Sequence, residues 1–266
     1  MKNVNDKIKN GMVDMWRPHY INVVPTVSDK NWSPFLNHGY KNLDNSPIIK
    51  YDEVTSKWEN QANLYTHIVE IFKKYYNTFS ELDLLDTGCG FGHGTAVYKK
   101  YYDFKSVSAL DFNPKFISSA KEKHPGIEFM VASATDMPFE DNKFDVITNI
   151  ESLHNYKYTH HFYREVYRVL KPGGYLLITD PFVPFKDDLI SEDHFNRSGL
   201  YLCDKINITP MVIHSCKDDI ENFANKNTDV EKSKVDFFVS LAKQKYEIYS
   251  NAENYFLSYI YMKPNL

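Results

Sequence analysis

Residues 84–94 read LLDTGCGFGHG, and the reading of this run decides the fold. Leu84, Leu85 and Asp86 close an apolar strand. Gly88, Gly90 and Gly92 then fall at every second position, and TAVYKKYY (95–102) carries on as a helix. Glycines suit a sharp turn whose backbone must lie against a ligand, because a Cβ would fill the space. Asp86 at the strand end suits a cation better than a phosphate. The plain rival is a tight strand-to-helix turn with no ligand, and the neighbouring motifs must choose between the two.

Working outward, strands and helices alternate over residues 60–180. Strands are expected at 82–87, 106–111, 127–132, 144–150 and 174–180, with helices at 60–76, 94–102, 114–124 and 159–170. This spacing is that of successive βαβ units. Lys171-Pro172-Gly173-Gly174 is expected to stop a helix and turn into the next strand. Beyond 180, residues 199–209 read as a strand, 210–250 as two helices, and SYIYMKP (258–264) as a last strand closing the sheet. The fold class is therefore α/β: a Rossmann-like, doubly wound, seven-stranded and mostly parallel sheet whose last strand is antiparallel. Residues 1–59 form a helical N-terminal cover, 60–182 the ligand-binding core, and 183–266 lid helices and final strands of the same domain.

Composition narrows the classes. Of 266 residues, 42% are hydrophobic and 15% aromatic, enough for a substantial core. The net charge is −4 and only Arg17, Arg164, Arg168 and Arg197 are arginines, which argues against nucleic acid and anionic membranes as partners. Cys89, Cys203 and Cys216 form no metal-binding spacing and fit a reducing compartment. With no apolar run long enough for a leader or a membrane span, a cytoplasmic protein is expected.

In such a sheet, ligands bind at the carboxyl ends of the strands near the switch in strand order. Asp111 ends the second strand, about 20 residues past the glycine loop, where an acid grips ribose hydroxyls. Ser133–Phe139 follow the third strand, Asn149–His154 the fourth, and Asp180 ends the fifth. A dinucleotide enzyme would carry GxGxxG with pyrophosphate on the helix N-terminus. GxGxG preceded by Asp86 instead suits a ligand with ribose, adenine and a positively charged amino-acid part, which points to S-adenosylmethionine.

These motifs, together with FDVITNIESLHNY (144–156) and REVYRVLKPGGYLLITD (164–180), resemble class I S-adenosylmethionine-dependent methyltransferases. NHGYK (37–41), ESLH (151–154) and the later ITP…YMKP pattern resemble, more narrowly, small-molecule O-methyltransferases of the sugar, phthiotriol and glycopeptidolipid type. The resemblance spans residues 35–264. It implies that Asp86, Gly88 and Gly90 line the methionine part of the cofactor and that Asp111 binds the ribose. It further implies cofactor contacts at Cys89, Phe112, Ala134, Asn149 and Gln61, with Asn37 and Tyr40 at the carboxylate end. One departure stands out: the usual acid of the third-strand motif is Ser133 here, a neutral acceptor, and Asp136 is the nearest substitute.

His154 and Asp180 are the expected catalytic pair. The ends of adjacent parallel strands lie roughly 4.8 Å apart, so an imidazole base and an orienting carboxylate can meet there. The resemblance implies the same roles. Glu151 is expected to support the loop or the cofactor, and His93, His160 and His161 to play no part in the chemistry. No metal is expected. The acceptor is a hydroxyl of a glycoside, polyketide or lipid-like metabolite, and residues 183–250 would form its pocket. Carbon or nitrogen methylation, and a non-catalytic cofactor-binding subunit, are the alternatives. A homodimer is left open.

Overall fold

A computed structural model describes residues 35, 37–182, 198–251 and 254–265. The N-terminal cover over residues 1–34 and the start of the lid, residues 183–197, lie outside the described residues. The elements in chain order are α1 (Glu53–Ser56), α2 (Glu59–Phe72), β1 (Asp83–Thr87), α3 (His93–Tyr101), β2 (Ser106–Asp111), α4 (Pro114–Lys123), β3 (Glu128–Val131) and β4 (Phe144–Ile150). A 3-10 turn (Leu153–Asn155) leads to α5 (Thr159–Val169), β5 (Leu170–Phe182), β6 (Tyr201–Asn207), α6 (Thr209–Lys226), α7 (Lys232–Ser250) and β7 (Tyr255–Met262).

The seven strands form one sheet in the order β3-β2-β1-β4-β5-β7-β6. Pairing is parallel from β3 to β5, and β7 runs antiparallel to both β5 and β6. The strand order reverses between β1 and β4, which makes their carboxyl ends the topological switch point.

Both faces of the central strands are covered, so β1, β4 and β7 are largely buried and their side chains alternate between two cores. Leu84, Val146, Leu177 and Ile260 face a cluster built with Leu64 and Ile68 of α2 and Val212 of α6. Leu85, Ile147, Ile178 and Tyr259 face the other way, onto Phe162 and Val166 of α5. Burying such a side chain is worth about 1.5–3 kcal/mol, and a shift of one residue in register would exchange the two sets.

Two expectations need correction. Lys171–Gly174 are not a turn; they lie within β5, which starts at Leu170 directly after α5. The run does stop the helix, as expected: α5 ends at Val169, and Pro172 has no N–H to continue it. Lys263 Nζ takes the freed carbonyls of Tyr167 (2.7 Å) and Leu170 (2.8 Å), while Gly173 at φ +77° pairs its N–H with Lys263 O. The ladder absorbs the irregularity as a register shift between Phe144 and Val146. Second, β7 is the antiparallel last strand expected, but it lies between β5 and β6 rather than at the margin. Its side chains are almost all buried and belong inside, whereas the largely exposed β6 forms the edge.

Candidate active site

The site is built on the turn after β1. Gly88 and Gly90 stand at φ +72° and +54°, which glycine alone adopts without strain. A Cβ on Gly88 would lie 1.9 Å from Ser152 Oγ. Beside Gly90 a Cβ would meet no protein atom within 4 Å. That space belongs to a cavity lined by Phe35, Asn37, Tyr65, Gly88, Cys89, Gly90, Phe91, His93, Ile150 and Glu151.

Asp111 closes the turn. Its Oδ2 accepts the Gly90 N–H and its Oδ1 the Asn113 N–H, each at 2.9 Å. Burial pushes this carboxyl up to about 6, against the pull of the two amides. Each oxygen keeps a further lone pair, so two hydroxyl donors can be accommodated. Asn149 Nδ2 is committed to Thr87 and Tyr156, while its buried Oδ1 has no hydrogen-bond partner among the described residues. An open groove beside Gly90, an acceptor pair on Asp111 and an orphaned amide oxygen fit a polar nucleoside ligand.

Asp86 stands behind the loop rather than in the cavity. Its carboxylate takes Thr95 Oγ1 (2.6 Å) and Thr148 Oγ1 (2.9 Å), and burial pushes it up to about 6. It braces strand against helix. Gln61 is likewise turned away, donating to Asp219 of α6 at 2.6 Å. Tyr40 stacks on His67 with ring centroids 4.6 Å apart. Neither lines the cavity, although Asn37 does, because its side chain spans from Gln61 O to Gly39 N. Ser133 is occupied locally, its Oγ meeting Thr135 Oγ1 and N. Asp136 is exposed, Phe112 half-buried and Ala134 buried beside them. Cys89 is buried in the turn, with its thiol pushed up by burial.

At the ends of β4 and β5 the His154 ring meets Asp180, Nδ1 to Oδ1, at 2.9 Å. Asp180 Oδ2 accepts the Leu153 N–H at 3.0 Å, so the carboxylate is held at both oxygens. Asp180 is fully buried, and burial raises its pKa while His154 pulls the other way. Asn155 Nδ2 lies 3.1 Å from His154 Nε2. His160 is exposed and His161 half-buried on α5.

A second imidazole–carboxylate pair stands nearby, and the sequence reading missed it. His38 Nδ1 lies 2.5 Å from Glu151 Oε2, and its backbone N–H donates to Oε1 at 2.6 Å. Lys245 of α7 reaches the same place, donating to Asn37 O at 2.7 Å. Only the proximity of His38 to Asn37 in NHGYK hinted at it; Lys245 carried no local pattern. His93 also proves to line the cavity, and its Nδ1 lies 3.1 Å from His124 Nε2. Among the described residues no group of three or more His, Cys, Asp or Glu could hold a metal ion, and no helix is long and apolar enough to cross a membrane.

Comparison with known proteins places the domain and the fold. Residues 85–178 match the family described as Methyltransferase domain. A probable phthiotriol/phenolphthiotriol dimycocerosates methyltransferase 2 of Mycobacterium ulcerans is 39% identical over 113 residues, 40% of this chain and 44% of that protein. A fatty-acid O-methyltransferase of Mycolicibacterium smegmatis is 34% identical over 155 residues, 55% of this chain and 52% of that one. The chain thus spans about half the length of these relatives. Among solved structures, geranyl diphosphate C-methyltransferase from Streptomyces coelicolor in complex with S-adenosyl-L-homocysteine shares the fold at 14% identity and a TM-score of 0.63, covering 93% of this chain and 98% of that one. Residues 85–178 are thus similar to the Methyltransferase domain family, and the chain shares the fold of a methyltransferase solved with S-adenosyl-L-homocysteine.

Proposed function

We propose that this protein transfers the methyl group of S-adenosylmethionine to a hydroxyl of a small, lipid-like acceptor, with His154 as general base and Asp180 as its orienting group. The observation that carries the reading is the His154–Asp180 contact of 2.9 Å, made by a carboxylate that is itself buried and doubly hydrogen-bonded. The O-methyltransferase named among the relatives supports the oxygen acceptor.

The cofactor supplies a methyl carbon on a sulfonium, already a good leaving group. Alignment and proton removal are left to the protein. Gly88, Gly90, Cys89, Asp111 and Asn149 would hold the cofactor, and Phe112, Ala134 and Ser133 would flank its base. With the proton of the neutral ring on Nδ1 and donated to Asp180, the one lone pair is on Nε2, where it accepts from Asn155 Nδ2 at 3.1 Å. The acceptor's hydroxyl would displace that amide and give its proton to Nε2. When bound, the cofactor would supply the methyl carbon to the hydroxyl oxygen and keep the electron pair of the broken carbon–sulfur bond on its sulfur. Asp180 then faces an imidazolium and stabilises it.

The N-terminal segment and residues 183–250 would enclose the acceptor, since the cofactor occupies the strand ends. Metabolite extracts incubated with methyl-labelled cofactor should yield one labelled product class, read by mass spectrometry. A product labelled on carbon, or on an amine whose methylation survives His154→Ala, would overturn the oxygen reading.

A further inference from the structure

We propose that Glu151, held by His38, is the group that distinguishes S-adenosylmethionine from S-adenosylhomocysteine, by reading the sulfonium charge that only the donor carries. The inference rests on the cofactor reading above. Its ground is a carboxylate built into the cavity wall. Glu151 lines the same cavity as Gly88 and Gly90, where the methionine part of the cofactor is assigned.

Several features fix that carboxylate. The Glu151 backbone stands at φ +49°, a left-handed conformation that non-glycine residues seldom adopt. Its N–H is tied to Thr179 O at 2.8 Å. One residue, His38, satisfies both carboxylate oxygens, through its ring and its backbone amide. The side chains are only 7% and 17% exposed, so water screens the charge little. Burial pushes the Glu151 carboxyl up, but the charge and hydrogen bonds of His38, with Lys245, bring it below its usual range, while burial lowers the His38 imidazole. The two His38 hydrogen bonds onto Glu151 hold the carboxylate by geometry.

The reaction changes the charge of this ligand and little else. Before transfer the sulfur is cationic; afterwards it is a neutral thioether. The ammonium, carboxylate, ribose and adenine are common to both. A pocket that recognised only those shared groups would bind donor and by-product alike, whereas a fixed anion beside the methionine part favours the cation. The by-product would then leave more readily. Lys245 carries the opposite charge, and its field acts on both Glu151 and His38, so it tempers the discrimination.

The full chain is titrated by calorimetry with S-adenosylmethionine, with sinefungin (an amine-bearing cation at the same position) and with S-adenosylhomocysteine. The wild type should bind both cations more tightly than the thioether. Glu151→Gln should shrink that preference by about fivefold or more, fivefold being the worth of a charge pair about 4 Å apart under full water screening, with the loss falling on the cations. Glu151→Asp should restore most of it, and Lys245→Met should widen it. Equal weakening of all three ligands by Glu151→Gln overturns the proposal, because the carboxylate then serves a shared group or the fold. If Glu151→Gln does not fold, Lys245→Met decides: an unchanged preference overturns the proposal and a wider one sustains it. Failure of the wild type to bind any of the three would sink the cofactor reading itself.

Discussion

His154 and Asp180 are separated by 26 residues and joined at 2.9 Å, because β4 and β5 are adjacent and Ile150 pairs with Thr179. Asp180 directly follows the last residue of β5 paired with β4, and the 3-10 turn after β4 brings His154 to it. Asp180 sits on the buried side and His154 on the half-buried side, which is the order an orienting acid and a working base require.

Loss of the base should therefore be costly and specific. His154→Ala is expected to lower turnover by about 10²–10⁴-fold, measured as labelled methyl transferred to the identified acceptor, with cofactor affinity little changed. Asp180→Asn should also slow transfer strongly, because an amide N–H facing Nδ1 favours the other tautomer. Near-wild-type turnover in His154→Ala would remove the general-base assignment.

Cofactor affinity should depend on pH through Asp111. Ligand hydroxyls donate to its ionised form, and the free carboxyl sits at about 6. Affinity should be full above that value and fall as pH drops through it. Asp111→Asn should weaken binding about tenfold or more, the worth of a hydrogen bond to a charged group, and flatten the pH profile. Calorimetry at pH 5 and pH 7.5 gives both readings; an unaltered profile in the variant would place the titration elsewhere.

The lid's anchorage predicts a stability trend. Asp219 of α6 accepts from Asn60 (2.7 Å) and Gln61 (2.6 Å) of α2, and burial pushes its carboxyl up to about 6. Its folded pKa thus exceeds the ordinary carboxylate value near 3.9. The folded state holds the proton more tightly, so the group's contribution to stability falls as pH rises from about 4 to 6, by at most about 1.4 kcal/mol per pH unit. Urea melts of the ligand-free protein should show a shallower decline over that window in Asp219→Asn. An identical decline would mean that Asp219 is not the titrating group.

Gly88 admits no side chain. Gly88→Ala places a methyl within 1.9 Å of Ser152 Oγ and 3.1 Å of Tyr156 OH, at φ +72°. The left-handed backbone alone costs roughly 1–2 kcal/mol, and moving Ser152 disturbs the turn that carries His154. The variant should melt at lower temperature and lose most cofactor affinity, checked by thermal denaturation with and without S-adenosylhomocysteine. A wild-type melting shift on adding the ligand would contradict this account.

Much of the architecture is local in origin and therefore readable from the chain. The apolar strands, the helix at 114–123 with Asn113 as its cap, and the glycine turn depend on period, capping and backbone freedom. The site was legible where a residue sits at a strand end: Gly88, Gly90, Asp111, His154 and Asp180. It was not legible where a side chain's direction depends on a distant partner. Asp86 and Gln61 carry the expected chemistry but spend it on Thr95, Thr148 and Asp219.

By itself, then, the sequence determined a doubly wound sheet, its glycine turn, and the placing of His154 and Asp180 at the ends of neighbouring strands, because period and strand order bring these about with few alternatives. Tertiary structure alone decided which carboxylates face the cavity and which brace the fold. It placed Lys263 on the freed carbonyls at the end of α5, and β7 inside the sheet. It also joined His38 to Glu151 across 113 residues and brought Lys245 beside them. No local pattern encodes such meetings; they follow from how the lid helices and the segment before α1 pack over the strand ends.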